Sequence, residues 1–241
     1  MLAYLGGSSE SPKTRLRGGR VTGPPWRRFR PMPRTYVTDI RHLLDDSGQP
    51  APGPAGDMAR YLGRIIEAGS VIPVGKGRLA PLRCANPSHR RRCGGQLGVV
   101  VPSTGAIEWE CIGCRERGVI TNWTGTAFDL SQVAAPKPGD ERVDLFAPLA
   151  ELDAVLRRCE LARPLRRLLL DASGVGDEYL FVLVDYGQLM ELRAQTSRAA
   201  ETVRGNDRPM LDRFTGRVDG LATTLSAFLE ADDVETGSLL N

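Results

Sequence analysis

Residues 84–130 read CANPSHRRRCGGQLGVVVPSTGAIEWECIGCRERGVITNWTGTAFDL, and this stretch decides the fold of the first half of the chain. It contains four of the five cysteines in two pairs, C-x8-C at Cys84 and Cys93 and C-x2-C at Cys111 and Cys114. Structural zinc sites in proteins take four such ligands in a tetrahedron. The spacing therefore predicts one structural zinc ion held by these four thiolates.

The segment around the cysteine pairs has the composition of a small β-sheet. Three short runs, QLGVVVP, AIEWEC and GVITNW, predict strands because they are apolar and rich in β-branched residues. Ser103, Thr104 and Gly105 suit the turn between the first two strands. We therefore expect an antiparallel, zinc-ribbon-like sheet over residues 79–130, in which a hairpin brings the two pairs together.

The long first cysteine pair leaves one alternative open for the ligand set. His89 lies inside it, giving C-x4-H-x3-C, and could replace Cys84 as a ligand. Cys84 is preferred because two thiolate pairs need no unusual loop. Four protein ligands close the coordination shell, whereas a catalytic zinc keeps one position open for water. The predicted zinc is therefore structural.

Arginines surround the cysteines in sequence. They could compensate the negative charge of a zinc tetrathiolate, or they could face a phosphate backbone. The possible nucleic-acid contacts are Arg90, Arg91, Arg92, Arg115 and Arg117. Trp109, Trp123 and Phe128 could stack on bases, but in so small a domain they are expected to cover the zinc site and the sheet.

The N-terminus differs in composition from the rest of the chain. The 241 residues carry a formal net charge of +3, yet residues 1–34 hold eight basic side chains against one acidic one. Rich in Gly, Arg, Pro and Ser, residues 1–31 are expected to form a disordered basic extension, either an arm for an anionic partner or a segment without a role. No apolar run reaches the roughly 20 residues of a membrane span and none resembles a signal peptide, so we expect a cytoplasmic protein without membrane contact.

Helices are predicted ahead of the ribbon, within a domain of residues 32–130. Thr38 or Asp39 can cap a short first helix. Asp57 can cap a second one that ends at Gly69, and its apolar face would consist of Met58, Tyr61, Leu62, Ile65 and Ile66. The Pro- and Gly-rich residues 131–147 are predicted to be a linker.

Residues 148–235 are predicted to form a mainly α-helical domain, followed by a tail at 236–241. A helix begins near Leu149, and Pro164 restarts a shorter one. Between them and the last helices lies EYLFVLVD, a strand whose six consecutive apolar residues suit burial on both faces. Residues 186–203 and 209–230 are predicted to form an antiparallel αα-hairpin.

The last predicted helix carries an apolar seam at alternating spacings of three and four residues: Leu211, Phe214, Val218, Leu221, Leu225 and Phe228. This pattern is typical of a helix that packs along a neighbouring helix. Core packing is favoured over a dimer surface, since an intramolecular partner lies one short turn away. The oligomeric state stays open.

Part of the chain resembles an uncharacterised group of bacterial zinc-ribbon-like proteins. The shared features are a W-x-C-x2-C turn, a G-V-I strand and a W-x-G-T segment followed by an aspartate, together with the PRTYVTDIRHLLD stretch at 33–45. Here they are Trp109, Cys111, Cys114, Gly118, Val119, Ile120, Trp123, Gly125, Thr126 and Asp129. The resemblance covers about residues 33–130 and implies a zinc ribbon in a bacterial cytoplasm, but no activity.

The sequence predicts an α+β protein and leaves three classes of function open. No nucleophile elbow, P-loop or dinucleotide fingerprint is present, and no catalytic residue can be named, which disfavours an enzyme. Cys159, on the apolar face of a predicted helix, is expected to be a core thiol. A non-enzymatic interaction or regulatory adaptor with a protein partner is the leading interpretation, and a nucleic-acid-binding protein is the alternative.

Overall fold

In the computed structural model, which describes residues 35–85, 93–136, 142–175 and 179–237, the first half of the chain forms a mixed β-sheet. Its five described strands are β1 (Thr35–Asp39), β2 (Lys76–Arg83), β3 (Gln96–Val101), β4 (Ile107–Cys111) and β5 (Arg117–Thr121), in the order β1-β5-β4-β3-β2. The three predicted antiparallel strands are β3, β4 and β5, and they are confirmed. The extension predicted at 1–31 lies outside the described residues.

Two strands extend this sheet beyond the prediction. β2 pairs antiparallel with β3, and β1 pairs parallel with β5, with Thr35 opposite Arg117. The first predicted helix is only a 3-10 turn, Ile40–Leu43, capped by the Asp39 side chain, which accepts a hydrogen bond from the N–H of Arg41. β1 lies at the sheet edge with partly exposed residues, so no apolar alternation marks it as a strand. The predicted purely antiparallel sheet is thus corrected to a mixed one.

A long helix packs across β2, β3 and β4 of the sheet. α1 (Pro54–Ser70) begins with proline in its first turn and buries Leu62, Ile65 and Ile66, as the helical spacing predicts. Its close approach depends on glycine: a Cβ on Gly63 would lie 2.4 Å from the Phe128 ring.

The second predicted N-terminal helix is present with different bounds: it begins after Gly53, so Asp57 lies in its first turn and does not cap it, and it continues past Gly69 to Ser70. Met58, which was predicted on the apolar face, is 45% exposed.

The second half supplies the helices that the sequence predicts. They are α2 (Leu149–Arg158), α3 (Arg163–Leu170), α4 (Tyr186–Thr202) and α5 (Arg208–Gly237), with a 3-10 turn at Gly205–Asp207. A capping box begins α4, because the Asp185 carboxylate accepts from the N–H of Gln188 while the Gln188 side chain accepts from the N–H of Asp185. α5 continues two residues into the predicted tail.

A second sheet replaces the single strand predicted for this half. Its described strands are β6 (Arg142–Pro148), β7 (Ser173–Val175) and β8 (Tyr179–Asp185), in the order β6-β8-β7. β6 occupies part of the predicted linker at 131–147. Along β8, Leu180, Val182 and Val184 are buried while Tyr179 and Leu183 are exposed. The predicted burial on both faces is therefore wrong: among the described residues, helices cover one face of this sheet and leave the other open.

The apolar seam of α5 belongs to the core. Leu211, Phe214 and Val218 are all fully buried, and an ion pair of 2.6 Å joins Arg193 on α4 to Asp219 on α5. The predicted αα-hairpin is present, and the described part of its seam packs inside the protein.

The two halves share one hydrophobic core, within a unit that runs from Pro33 to Asn241. Ion pairs also join them. Arg166 on α3 pairs with Glu67 on α1 at 2.6 Å, and Arg78 on β2 pairs with Asp171 at 2.9 Å. The candidate sites below are therefore built on a common frame.

Candidate metal centre

The four cysteines of the predicted site lie at one end of the larger sheet. Cys84 follows the last residue of β2, and two glycines, Gly94 and Gly95, separate Cys93 from β3. Cys111 is the last residue of β4, and Cys114 lies in the turn that leads to β5. The sheet register places Leu97 opposite Cys111, so the β3–β4 hairpin brings the two pairs together as predicted.

Their sulfur atoms form a compact cluster. All four Sγ atoms lie within 4.8 Å of one another. The Sγ atoms of Cys84 and Cys114 are 3.8 Å apart, and those of Cys93 and Cys111 are 3.6 Å apart. These separations are too long for a disulfide, and none of the four cysteines forms one. The cluster could hold a metal ion.

Glycine makes room for the sulfurs. A Cβ on Gly95 would lie 2.9 Å from the Sγ of Cys111, and one on Gly113 would lie 3.2 Å from the Sγ of Cys93. Side chains at these two positions would push into the cluster. Gly95, ahead of β3, and Gly113, inside C-x2-C, are thus steric requirements of the site.

Backbone hydrogen bonds fix both turns. The N–H of Cys84 donates to the carbonyl of Gly95 at 2.8 Å, and the N–H of Cys111 donates to the carbonyl of Glu116 at 2.8 Å. The N–H of Cys114 points at the Sγ of Cys111, 3.5 Å away. Such bonds orient thiolate ligands before a metal arrives.

The protonation of the thiols reflects these surroundings. Burial raises the pKa of Cys114 to about 11. Burial also acts to raise the pKa of Cys111, but hydrogen bonds from the backbone N–H groups of Cys114 and Gly113 outweigh it and the pKa is lowered. Cys111 is therefore the thiol of this pair that ionises first in the absence of a metal.

The predicted arginine contacts are only partly described. Arg115 pairs with Glu110 at 2.8 Å, and the Nε of Arg117 donates to the Oγ1 of Thr35 at 3.1 Å. Arg90, Arg91 and Arg92, like the alternative ligand His89, lie outside the described residues. A different arginine adjoins the centre: Arg83 donates from Nε to the carbonyl of Gly94 at 3.0 Å.

The aromatic residues near the ribbon serve the core. Trp109 and Trp123 are at most 9% exposed, and Trp109 packs edge-on against Tyr61 with the ring centroids 6.0 Å apart. The indole N–H of Trp123 donates to the carbonyl of Gly105 at 2.7 Å. Neither tryptophan is open for stacking on a base.

Cys159 lies apart from the cluster. It is buried at the end of α2, and burial raises its pKa to about 12. A thiol in this state is a poor nucleophile, as expected for a core residue.

The open face of the smaller sheet is a second candidate surface, and the sequence analysis missed it. Phe146 is opposite Phe181 across β6 and β8, and their ring centroids are 6.1 Å apart. Phe146, Tyr179 and Leu183 are 46%, 47% and 45% exposed. The signal was the uninterrupted apolar run in β8, which was interpreted as burial on both faces. We call the four residues Phe146, Tyr179, Phe181 and Leu183 the aromatic face.

Comparison of the chain with models of protein families, with curated proteins and with solved structures finds no match. In the part of the chain that the structure describes, no helix combines the length and apolarity needed to cross a membrane.

Proposed function

We propose that the chain is a non-enzymatic adaptor, in which a structural zinc ion fixes the ribbon and the aromatic face docks another protein. The observation that carries the proposal is the aromatic face. β8 has the uninterrupted apolar sequence of a strand covered on both sides, yet the described residues of the chain cover only one side.

We assign zinc to the cysteine cluster because four cysteine thiolates are a typical ligand set of structural zinc sites. A tetrahedral zinc with four Zn–S bonds of about 2.3 Å has sulfur–sulfur edges of about 3.8 Å. The two measured separations, 3.6 and 3.8 Å, match those edges. Cys84, Cys93, Cys111 and Cys114 would fill the coordination shell, which leaves no position for a substrate or water. The metal would then stabilise the fold rather than act in a reaction.

Apolar contact would supply the binding energy at the aromatic face. Full burial of a large apolar side chain stabilises by about 1.5–3 kcal/mol relative to exposure. Three of the face's side chains are almost half exposed, so a partner could still bury a substantial area on each. Exposed aromatic clusters of this kind are typical of protein-interaction sites.

The shape of the face favours an amphipathic helix as the partner element. Three strands spaced at 4.7–4.9 Å give a surface about 10 Å across, which matches the diameter of about 10–12 Å of a helix with its side chains. Tyr179, Phe181 and Leu183 follow one another along β8 at every second residue. They could contact successive turns of the docked helix.

The test is a capture experiment with matched variants. Phe146→Thr with Leu183→Thr removes the apolar surface but keeps strand-compatible residues. The control is Val37→Thr with Val100→Thr, which changes two exposed apolar residues on the other sheet, 76% and 43% exposed. The adaptor proposal would be supported by a protein that the wild type and the control both retain at high salt and that the face variant loses. The captured protein should also bind again after purification.

Two results would contradict the proposal. One is retention of the same proteins by the face variant. The other is self-association of the wild type, measured by light scattering, that the face variant abolishes, because the occupant of the face would then be a second copy of the chain.

Nucleic-acid binding through the arginines near the ribbon remains the competing proposal. It predicts binding of labelled DNA or RNA that weakens steeply with salt and is lost when Arg90, Arg91 and Arg92 are replaced together. Absence of binding at low salt by the zinc-loaded chain would exclude it.

A further inference from the structure

A cleft of about 700 Å³ lies where the ribbon meets the helical half, next to the metal centre. Cys84 and Gly94 form part of its wall. Its charged lining comes from α1, β2, α2 and the segment before α5, and consists of Arg64, Arg83, Arg157, Arg158, Arg204, Asp153 and Asp207. Of these, Arg83 directly precedes Cys84 and was recognised as one of the arginines around the cysteines; the others come from distant parts of the chain and did not enter the sequence-based site.

The two aspartates neutralise only part of this lining. Asp207 accepts from both terminal nitrogens of Arg157, at 2.9 and 3.0 Å, and from the Nε of Arg158 at 2.6 Å. Asp153 accepts from the Nε of Arg157 at 2.9 Å and from the backbone N–H of Arg83 at 3.1 Å. Five arginines against two aspartates leave a formal excess of three positive charges.

The excess charge lies on particular side chains. Arg64, only 16% exposed, approaches Asp153 no closer than 3.5 Å. Arg158 engages Asp207 through Nε and is 45% exposed, and Arg204 has no ion pair among the described residues. Burial lowers the pKa of Arg64; the Asp153 carboxylate opposes this change, and neighbouring Arg157 and Arg166 lower the pKa further. Of Arg64, Arg158 and Arg204, only Arg64 is largely removed from water, and a buried charge is costly unless an anion accompanies it.

A zinc ion in the cysteine cluster would offset two of these three positive charges and leave one uncompensated. Zinc bound by four thiolates has two formal negative charges in excess, and the five arginines outnumber the two aspartates by three. The cleft would stay cationic with the metal in place. Its uncommitted guanidinium nitrogens belong to α1, α2 and the segment before α5, so they can approach one anion from several directions.

We propose that this cleft binds a small molecule through its phosphate group. Guanidinium groups match the tetrahedral oxygens of phosphate and form charge-assisted hydrogen bonds with them. The volume of about 700 Å³ falls in the range of small-molecule sites, about 300–1,000 Å³, and exceeds the size of phosphate alone. The remainder of the ligand would contact Met210 and Asn206, which also line the cleft.

Binding is measured with the full chain loaded with metal, by calorimetry, using inorganic phosphate and pyrophosphate as probes at fixed ionic strength. Succinate serves as a dianion without phosphate geometry. The cleft variant is Arg158→Gln with Arg204→Gln, two exposed positions, and the control is Arg208→Gln, which pairs with Asp212 on the surface of α5. We expect the cleft variant to weaken phosphate binding by about tenfold or more and the control to leave it unchanged.

A second variant guards against a change in folding. Asn206→Asp adds a negative charge at an exposed position in the cleft without touching either aspartate network, and should weaken binding by roughly fivefold or more. Equal binding of succinate and phosphate, or unchanged binding in both cleft variants, would overturn the proposal. A third result would also overturn it: the wild type binds single-stranded oligonucleotides but not phosphate, and the cleft variants lose the oligonucleotide binding. The arginines would then be assigned to nucleic acid.

This inference is independent of the adaptor proposal. The Phe146→Thr, Leu183→Thr protein retains the whole cleft and should bind phosphate like the wild type.

Discussion

Replacement of Cys111 with serine tests whether the cysteine cluster is a structural metal centre. Cys111 is fully buried, and its Sγ lies 3.6 Å from that of Cys93. Serine removes one of four thiolates and substitutes a hydroxyl that binds zinc weakly. We expect the metal content to fall from one zinc per chain to none.

The size of the effect on stability follows from mass action. A ligand that binds only the folded state adds about 4.1 kcal/mol when its free concentration is a thousand times Kd. For a domain of 150–250 residues, such as the unit from Pro33 to Asn241, each kcal/mol shifts Tm by about 2–4 °C. Zinc buffered at that level should therefore raise the Tm of the wild type by roughly 8–16 °C, and that of the Cys111→Ser protein by almost nothing.

Metal content is measured by mass spectrometry and Tm by scanning fluorimetry across a series of zinc buffers. Cys159→Ser is the matched control: it also replaces a buried cysteine, but outside the cluster, and should keep one zinc. The reasoning is refuted if Cys111→Ser and Cys114→Ser both retain stoichiometric zinc. Iron in place of zinc in the wild type would refute the identity of the metal but keep the ligands, because four thiolates also suit iron.

Three further predictions concern the frame of these sites. Gly63→Ala should lower the free energy of unfolding in urea by about 1–3 kcal/mol, because the new Cβ meets the Phe128 ring. Gly216→Ala, whose new Cβ would have nothing within 4 Å, should raise it by about 0.5–1 kcal/mol. Equal effects of the two substitutions would contradict the packing described. Cys159, with a pKa raised to about 12 by burial, should resist iodoacetamide at pH 8 in the folded protein and react in urea, as measured by mass spectrometry; rapid labelling of the folded state would show that it is not a core thiol. Burial acts to raise the pKa of Asp207, but hydrogen bonds from two arginines outweigh burial, so the pKa is lowered. The ionised Asp207 carboxylate therefore stabilises the fold at pH values above its unfolded-state pKa of about 3.9. This stability is lost as the pH falls through the pKa of the folded state. Asp207→Asn should reduce the loss of stability between pH 5 and pH 2, and an unchanged pH profile would contradict this.

The sequence predicts those features whose signal is local. The spacing of the cysteines, the helical periodicity of α1 and of the α4–α5 hairpin, and the short β-branched runs of β3, β4 and β5 each identify an element without reference to the rest of the chain. The metal cluster could be predicted for the same reason, because a single hairpin of neighbouring strands brings Cys93 close to Cys111.

Features that depend on distant residues escape such analysis. β1 pairs with β5 although α1 and three strands lie between them in the sequence, and the residues of β1 show no alternation of apolar and polar side chains. The arginine cleft depends on Arg64, Arg157 and Asp207, which no motif connects. The open side of β8 was missed for a different reason: an apolar run indicates that a face will be covered, but not whether this chain or another one covers it.

The parallel pairing of Thr35 with Arg117 has a consequence for the order in which the protein folds. The hydrogen bond between these two side chains joins residues 82 positions apart. During synthesis β1 emerges first and must wait, as an unpaired edge, until β5 has left the ribosome and the cysteine turns beside it have formed. Contacts of such long sequence separation slow folding because a large loop must close before they form. A metal bound by the cysteine turns would hold β5 in place for this pairing, so the supply of metal would affect how readily β1 docks as well as the stability of the folded protein.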